Sequence, residues 1–162
     1  MFRTLILTLL AATSALAITP HAYANTGATS AMTSPAQLTE TQVRAAVARY
    51  FEGTRSMNAR QWASAFASDA IVHDPVGSPP LTTPETILAQ GEGFVTAFTQ
   101  VGLTEVYVQV HGDEAMAYWT GRGTQKDGTR VVFEGINHFT FSPDGKITVL
   151  RGFWDPTGIR AE

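Results

Sequence analysis

Cysteine is absent from the 162 residues. Its absence excludes a disulfide framework, thiolate ligation of a metal and lipid attachment through a cysteine, so packing alone must hold the fold. Basic charge is also scarce. Lys and Arg total 11 against 14 Asp and Glu, for a net charge of -3, and no Lys/Arg stripe of the kind that tracks phosphates is present. Nucleic acid is therefore not an expected partner. No apolar run reaches the roughly 20 residues of a membrane span. The most apolar stretch, residues 5–18, is interrupted by Thr8, Thr13 and Ser14. With Arg3 ahead of it and Ala22-Tyr23-Ala24 behind, it reads as a secretory signal peptide over residues 1–24. The expected mature protein is soluble, secreted into the periplasm and free of the membrane once the signal is cleaved. Residues 25–39, rich in Ser, Thr and Ala, read as a flexible leader, and residues 40–160 as one domain of single-core size.

Thr39 followed by Gln42 forms a capping-box signature, and Val43, Ala46, Val47, Tyr50 and Phe51 then recur at helical spacing. A first helix is predicted over residues 40–53. Asn58 is placed to cap a second, short helix carrying Trp62, Ala65 and Phe66. Residues 70–74 have strand character and Pro75 ends them. After the Gly77-Ser78-Pro79-Pro80 loop, Thr83-Pro84-Glu85 opens a third helix bearing Ile87, Leu88, Phe94, Val95 and Phe98 and ending near Gly102. From Leu103 onward, β-branched and aromatic runs are punctuated at His111-Gly112-Asp113, Lys126-Asp127-Gly128 and Pro143-Asp144-Gly145. Four strands in a meander follow from that spacing. Helices first and hairpins afterwards predict an α+β domain, a curved antiparallel sheet around three N-terminal helices.

Three polar residues interrupt apolar faces. Alternation in residues 131–141 puts Val131, Phe133, Gly135, Asn137, Phe139 and Phe141 on one side, and Asn137 is the one polar side chain in that row. A buried amide left unpaired costs about 1–3 kcal/mol, so Asn137 requires either a partner within the sheet or a ligand. Tyr50 lies on the apolar stripe of the first helix. Its hydroxyl must find a polar feature inside, as a core tyrosine or as a donor to a bound molecule. Asp74, between Val72 and Pro75, is a strand-end turn residue or a base whose charged form apolar neighbours disfavour. A carboxylate, a phenol and an amide in one pocket suit proton transfer with stabilisation of an oxyanion.

Tyr50, the run Val72-His73-Asp74-Pro75-Val76-Gly77-Ser78 and the run Gly135-Ile136-Asn137-His138-Phe139 together resemble the Δ5-3-ketosteroid isomerases, within the SnoaL-like, nuclear transport factor two-like superfamily. The resemblance spans about residues 40–154 and implies a cone-shaped barrel and a cofactor-free isomerase. It assigns Asp74 as the base, Tyr50 as the phenolic donor and Asn137 to the position of a protonated acid, a pairing of base and neutral acid established for that family. An amide at that position is a departure, since it donates a hydrogen bond without a raised pKa. A supporting tyrosine on the third helix of some members is also missing, the region reading Ala89-Gln90-Gly91-Glu92-Gly93. The implied reaction is allylic proton transfer on a small hydrophobic ketone. Phe94, Phe98, Trp119, Phe133, Phe139 and Trp154 are the expected pocket walls. A SnoaL-like cyclase or hydrolase using Asp74, and a non-catalytic binder of a small hydrophobic ligand, are the competing expectations. A homodimer through the outer sheet face is implied by the superfamily.

His73, His111 and His138 lie in separate segments without paired spacing, so no metal site is expected. Gly121-Arg122-Gly123 precedes a hairpin and opens no helix, which excludes a phosphate loop. Arg151 and Asp155 are placed to form an ion pair at the surface or to edge the pocket mouth.

Overall fold

The computed structural model describes residues 37–162; the predicted signal peptide and most of the leader lie outside the described residues. Helix α1 (Glu40–Arg55) begins as expected. The Thr39 hydroxyl accepts from the Gln42 N–H, the Gln42 side chain accepts from the Thr39 N–H, and Val43, Ala46, Val47, Tyr50 and Phe51 are buried along one stripe. Helix α2 (Ala59–Ala63) is capped by Asn58, which accepts from the N–H groups of Arg60 and Gln61 at 3.1 Å. It stops before Ala65. Phe66 instead opens strand β1 (Phe66–His73), so the predicted second helix is shorter and the first strand longer than their local periodicity indicated. Helix α3 (Pro84–Ala97) starts at Pro84 behind the Thr83 cap and ends short of Gly102. From Phe98 the chain joins the sheet, because the ladder with a neighbouring strand satisfies backbone groups that a continued helix would otherwise hold.

Strands β2 (Phe98–His111), β3 (Glu114–Gln125), β4 (Arg130–Phe141) and β5 (Ile147–Phe153) form the expected meander, with its turns at the three predicted sites. Gly128 takes φ 86° in one of them, a left-handed conformation that suits glycine. A short 3-10 turn (Pro156–Gly158) leads to β6 (Arg160–Ala161), which pairs with β4. The sheet order is β1-β5-β4-β3-β2. The sheet is mixed rather than wholly antiparallel. β1 runs parallel to β5, with Ile71 opposite Val149 and Val72 opposite Leu150, since a strand delivered by the helical layer enters the far edge through a crossover. The result is a curved, unclosed α+β cone with helices in its mouth.

All six predicted inward positions of β4 are buried, and Phe139 stacks on Phe141 while meeting the Tyr50 ring edge-on at 5.0 Å. Beyond β5, the predicted Arg151 and Asp155 pair does not form. Asp155 caps the 3-10 turn by accepting from the Thr157 N–H and hydroxyl, and the Arg151 guanidinium lies over the Phe153 ring at 5.7 Å. Local capping satisfies the carboxylate at less conformational cost than reaching back along the strand.

Candidate active site

The helix layer and the inner sheet face enclose a cavity of about 50 Å³, and Tyr50, Asp74 and Asn137 all line it. Residues from α1, the end of β1 and the middle of β4 therefore meet. Asn137 is 1% exposed and paired at both ends of its amide: its Oδ1 accepts from Trp119 Nε1 at 3.0 Å and its Nδ2 donates to the Tyr50 hydroxyl at 3.1 Å. An indole nitrogen can only donate, so Trp119 fixes which end of the amide faces it, and the NH₂ group must turn to Tyr50. The Tyr50 oxygen accepts that bond. Its own hydrogen is then free to be directed into the cavity. Asn137 thus stands behind Tyr50 in a chain running Trp119, Asn137, Tyr50, and each bond of such a chain polarises the next.

Burial raises the Tyr50 hydroxyl far above its ordinary range, the negative charge of Asp74 raises it further, and Trp62 and Asn137 oppose both effects. Tyr50 therefore stays neutral and remains a donor. Asp74 is raised as well, by burial first, against a hydrogen bond from the Trp154 indole that favours the carboxylate. That bond, Trp154 Nε1 to Asp74 Oδ1, measures 2.5 Å. Although Asp74 keeps some accessible surface, its carboxylate is enclosed by Trp154, by Gly152 and by the cavity walls. Its backbone is pinned by three contacts. Gln90 Nε2 reaches the Asp74 carbonyl at 3.4 Å, the Val76 N–H donates to the Gly152 carbonyl at 2.7 Å, and Val72 exchanges two backbone bonds with Leu81. The Asp74–Pro75 peptide between them is cis.

Of the predicted walls, Phe94, Trp119, Phe133 and Trp154 line the cavity. Phe98 and Phe139 do not. Phe139 fills the closed end of the core beneath Tyr50 and Phe51, and Phe98 packs between Phe94 and Phe133 on the far side of the wall. Strand alternation assigns a face but not a depth along the cone.

Several contributing residues were not singled out from sequence. Trp62 lines the cavity wedged between helices, where a side chain at Gly53 would meet its Cα at 2.7 Å and one at Gly91 its ring at 2.8 Å. At Gly91, in the third-helix stretch without a tyrosine, the Trp62 ring packs directly against the backbone. Gly152 faces Asn137 across the β4 and β5 ladder, and a Cβ there would collide with the Asp74 carboxylate. A glycine within an apolar strand, as in Leu150-Arg151-Gly152-Phe153, is the one signal that announces such an approach. Among the described residues no group of His, Asp and Glu is clustered to hold a metal.

The helix-lined open cone is the fold of a nuclear transport factor two-like protein of Exiguobacterium sp. 255-15, which superposes with a TM-score of 0.59 at 17% identity, over 68% of this chain and 98% of its own. The chain belongs to the SnoaL-like domain family, whose model matches residues 47–150. It is 32% identical over 116 residues to the steroid Δ-isomerase of Nocardioides simplex, covering 71% of this chain and 91% of that protein. Among solved structures, the epoxide hydrolase/cyclase-like enzyme SalBIII of salinomycin pyran-ring formation superposes with a TM-score of 0.69 at 24% identity, over 76% of this chain and 98% of its own. Rv0760c of Mycobacterium tuberculosis, solved with estradiol-17β-hemisuccinate, superposes with a TM-score of 0.65 at 16% identity, over 74% and 98%. These structural likenesses establish the shared fold.

Proposed function

We propose that the protein is an acid/base enzyme of the ketosteroid isomerase type, moving a proton α to the carbonyl of a small hydrophobic ketone. The observation that carries this reading is that Asp74 and Tyr50, distant in sequence, line one largely apolar cavity with Asn137 bonded behind the phenol. With the ketone oxygen on the Tyr50 hydroxyl, the Asp74 carboxylate takes the α-proton and becomes a carboxylic acid. The electron pair moves into a dienolate whose oxygen Tyr50 stabilises. Asp74 returns the same proton to the γ-carbon, which gives the conjugated enone and restores the carboxylate. Trp154 keeps Asp74 oriented between the two positions. Conversion of a β,γ-unsaturated ketone to its conjugated isomer, followed by ultraviolet absorbance, tests this. Turnover that is lost in Asp74→Asn while ligand binding persists supports it; turnover undiminished in Asp74→Asn removes it.

A second reading, a binder without turnover, is favoured by the Asn137 amide committing an N–H to Tyr50 in place of the ligand oxygen. Saturable binding of phenols with no enone conversion would select it.

Export to the periplasm rests on the signal-like residues 1–24 and is tested by the N-terminus of the protein recovered from that compartment. A homodimer is supported by an exposed row across four strands, in which Tyr107 lies opposite Tyr118, Tyr118 opposite Ile136 and Ile136 opposite Phe153. Sedimentation of the wild-type protein against Ile136→Lys tests it.

A further inference from the structure

The cavity is small for its family resemblance. An engineered apolar cavity that binds benzene has a volume of about 150 Å³, and pockets for drug-sized ligands run to about 300–1,000 Å³. This one encloses about 50 Å³. Its walls are also fixed in place. The Trp119 indole is bonded to Asn137 and the Trp154 indole to Asp74, so neither ring can swing aside without breaking a bond on which the site depends. Trp62 is held between Gly53 and Gly91, and the Phe133 ring fills the notch at Gly121, where a Cβ would meet it at 2.5 Å. Behind Trp119 and Trp154, Gly135 leaves no slack, since a Cβ there would lie 2.6 Å from one and 2.7 Å from the other. The half-buried lining residues Ala59, Asp74, Gln90, Phe94, Val95 and Trp154 mark the mouth, and Gln90, Phe94 and Val95 form its α3 side.

We infer that this site selects a compact, one-ring ketone or phenol, with its oxygen on Tyr50 and its far edge in the mouth at Phe94, and excludes four-ring ligands. This deepens the proton-transfer reading, on which its substrate chemistry rests, while the size limit stands on the walls alone. The two therefore fail separately.

An apolar pocket with room to spare binds larger apolar ligands more tightly, because each added ring removes more surface from water. An inverted order is thus the signature of a wall. Tryptophan fluorescence of the full-length protein, titrated with phenol, 2-naphthol and estradiol, reads the order, and turnover of 3-cyclohexen-1-one against 5-androstene-3,17-dione reads it in catalysis. The expected result is saturable binding of phenol, at least tenfold weaker binding of estradiol, and kcat/KM at least tenfold higher for the one-ring enone. Phe94→Ala, on the half-buried α3 side of the mouth, is expected to improve estradiol binding at least tenfold. Estradiol binding as tightly as phenol to the unmutated protein, or binding of neither, overturns the size limit. Phenol selectivity without turnover of either enone leaves the size limit standing and removes the chemistry; steroid turnover that depends on Asp74 does the reverse.

Discussion

The carboxylate of Asp74 occupies the space that a side chain at position 152 would fill, so Gly152 and Asp74 are two halves of one fit. Because Gly152 also faces Asn137 in the ladder and accepts from the Val76 N–H, it ties the base to the strand bearing the amide. Gly152→Ala is expected to leave a folded protein with Asp74 displaced. A displacement on the order of 1 Å costs about 100-fold in kcat. Steady-state rates alongside circular dichroism check this, with a folded variant of full activity as the contrary outcome.

Tyr50→Phe removes the phenolic donor directed at the ligand oxygen. A loss of about 100- to 1,000-fold in kcat is expected, as for the deletion of one oxyanion-hole donor. The phenyl ring preserves packing against Phe51, Phe66 and Phe139, so thermal stability should change much less than rate.

Asn137→Ala strands a buried donor, the Trp119 indole, and a buried acceptor, the Tyr50 oxygen, and opens a hole between them. Destabilisation of at least about 2 kcal/mol in urea unfolding is expected. Trp119→Phe should recover part of it, since it removes one of the stranded groups. Equal stabilities of the single and double variants would contradict the chain of bonds.

The pH dependence follows from the two raised groups. Asp74 acts as a base only when ionised, so kcat/KM is expected to fall on the acid side with a midpoint above the ordinary carboxylate range. Tyr50 is held so high that no basic limb from it should appear in the accessible range. The Trp154 hydrogen bond favours the carboxylate; Trp154→Phe should therefore move the acid limb to higher pH. In stability the sign is opposite to that of a salt-bridged aspartate. The folded state holds the Asp74 proton more tightly than the unfolded chain, so stability is lost as pH rises from 3.8 through the raised folded value. Asp74→Asn is accordingly expected to raise the thermal midpoint at neutral pH, with the gain vanishing below pH 3.8.

The helix caps, the inward row of β4 and the meander were legible because each rests on short-range chemistry: a hydroxyl three residues from its N–H, or a strict alternation of side chains. Tyr50 and Asn137 announced themselves as polar groups on buried faces. What alternation left undetermined was depth. Phe139 and Phe133 share a face, yet one closes the core beneath Tyr50 and the other lines the cavity, a difference set by the curvature of the whole sheet. Nor could local patterns pair Trp154 with Asp74, or turn the Asn137 amide toward Tyr50 rather than into the cavity. The first depends on β1 entering the sheet beside β5, a crossover that brings His73 opposite Arg151 and thus Asp74 up to Gly152; the second depends on Trp119 on β3 meeting the amide oxygen.

Hydrogen exchange at the α-carbon of a one-ring ketone in D₂O, followed by proton NMR, tests the role of Asp74 most directly because it requires proton abstraction and nothing more. The wild-type protein should wash deuterium into the α-position at least 100-fold faster than Asp74→Asn, with ketone binding retained in the variant. Equal exchange by the two proteins would contradict Asp74 as the base.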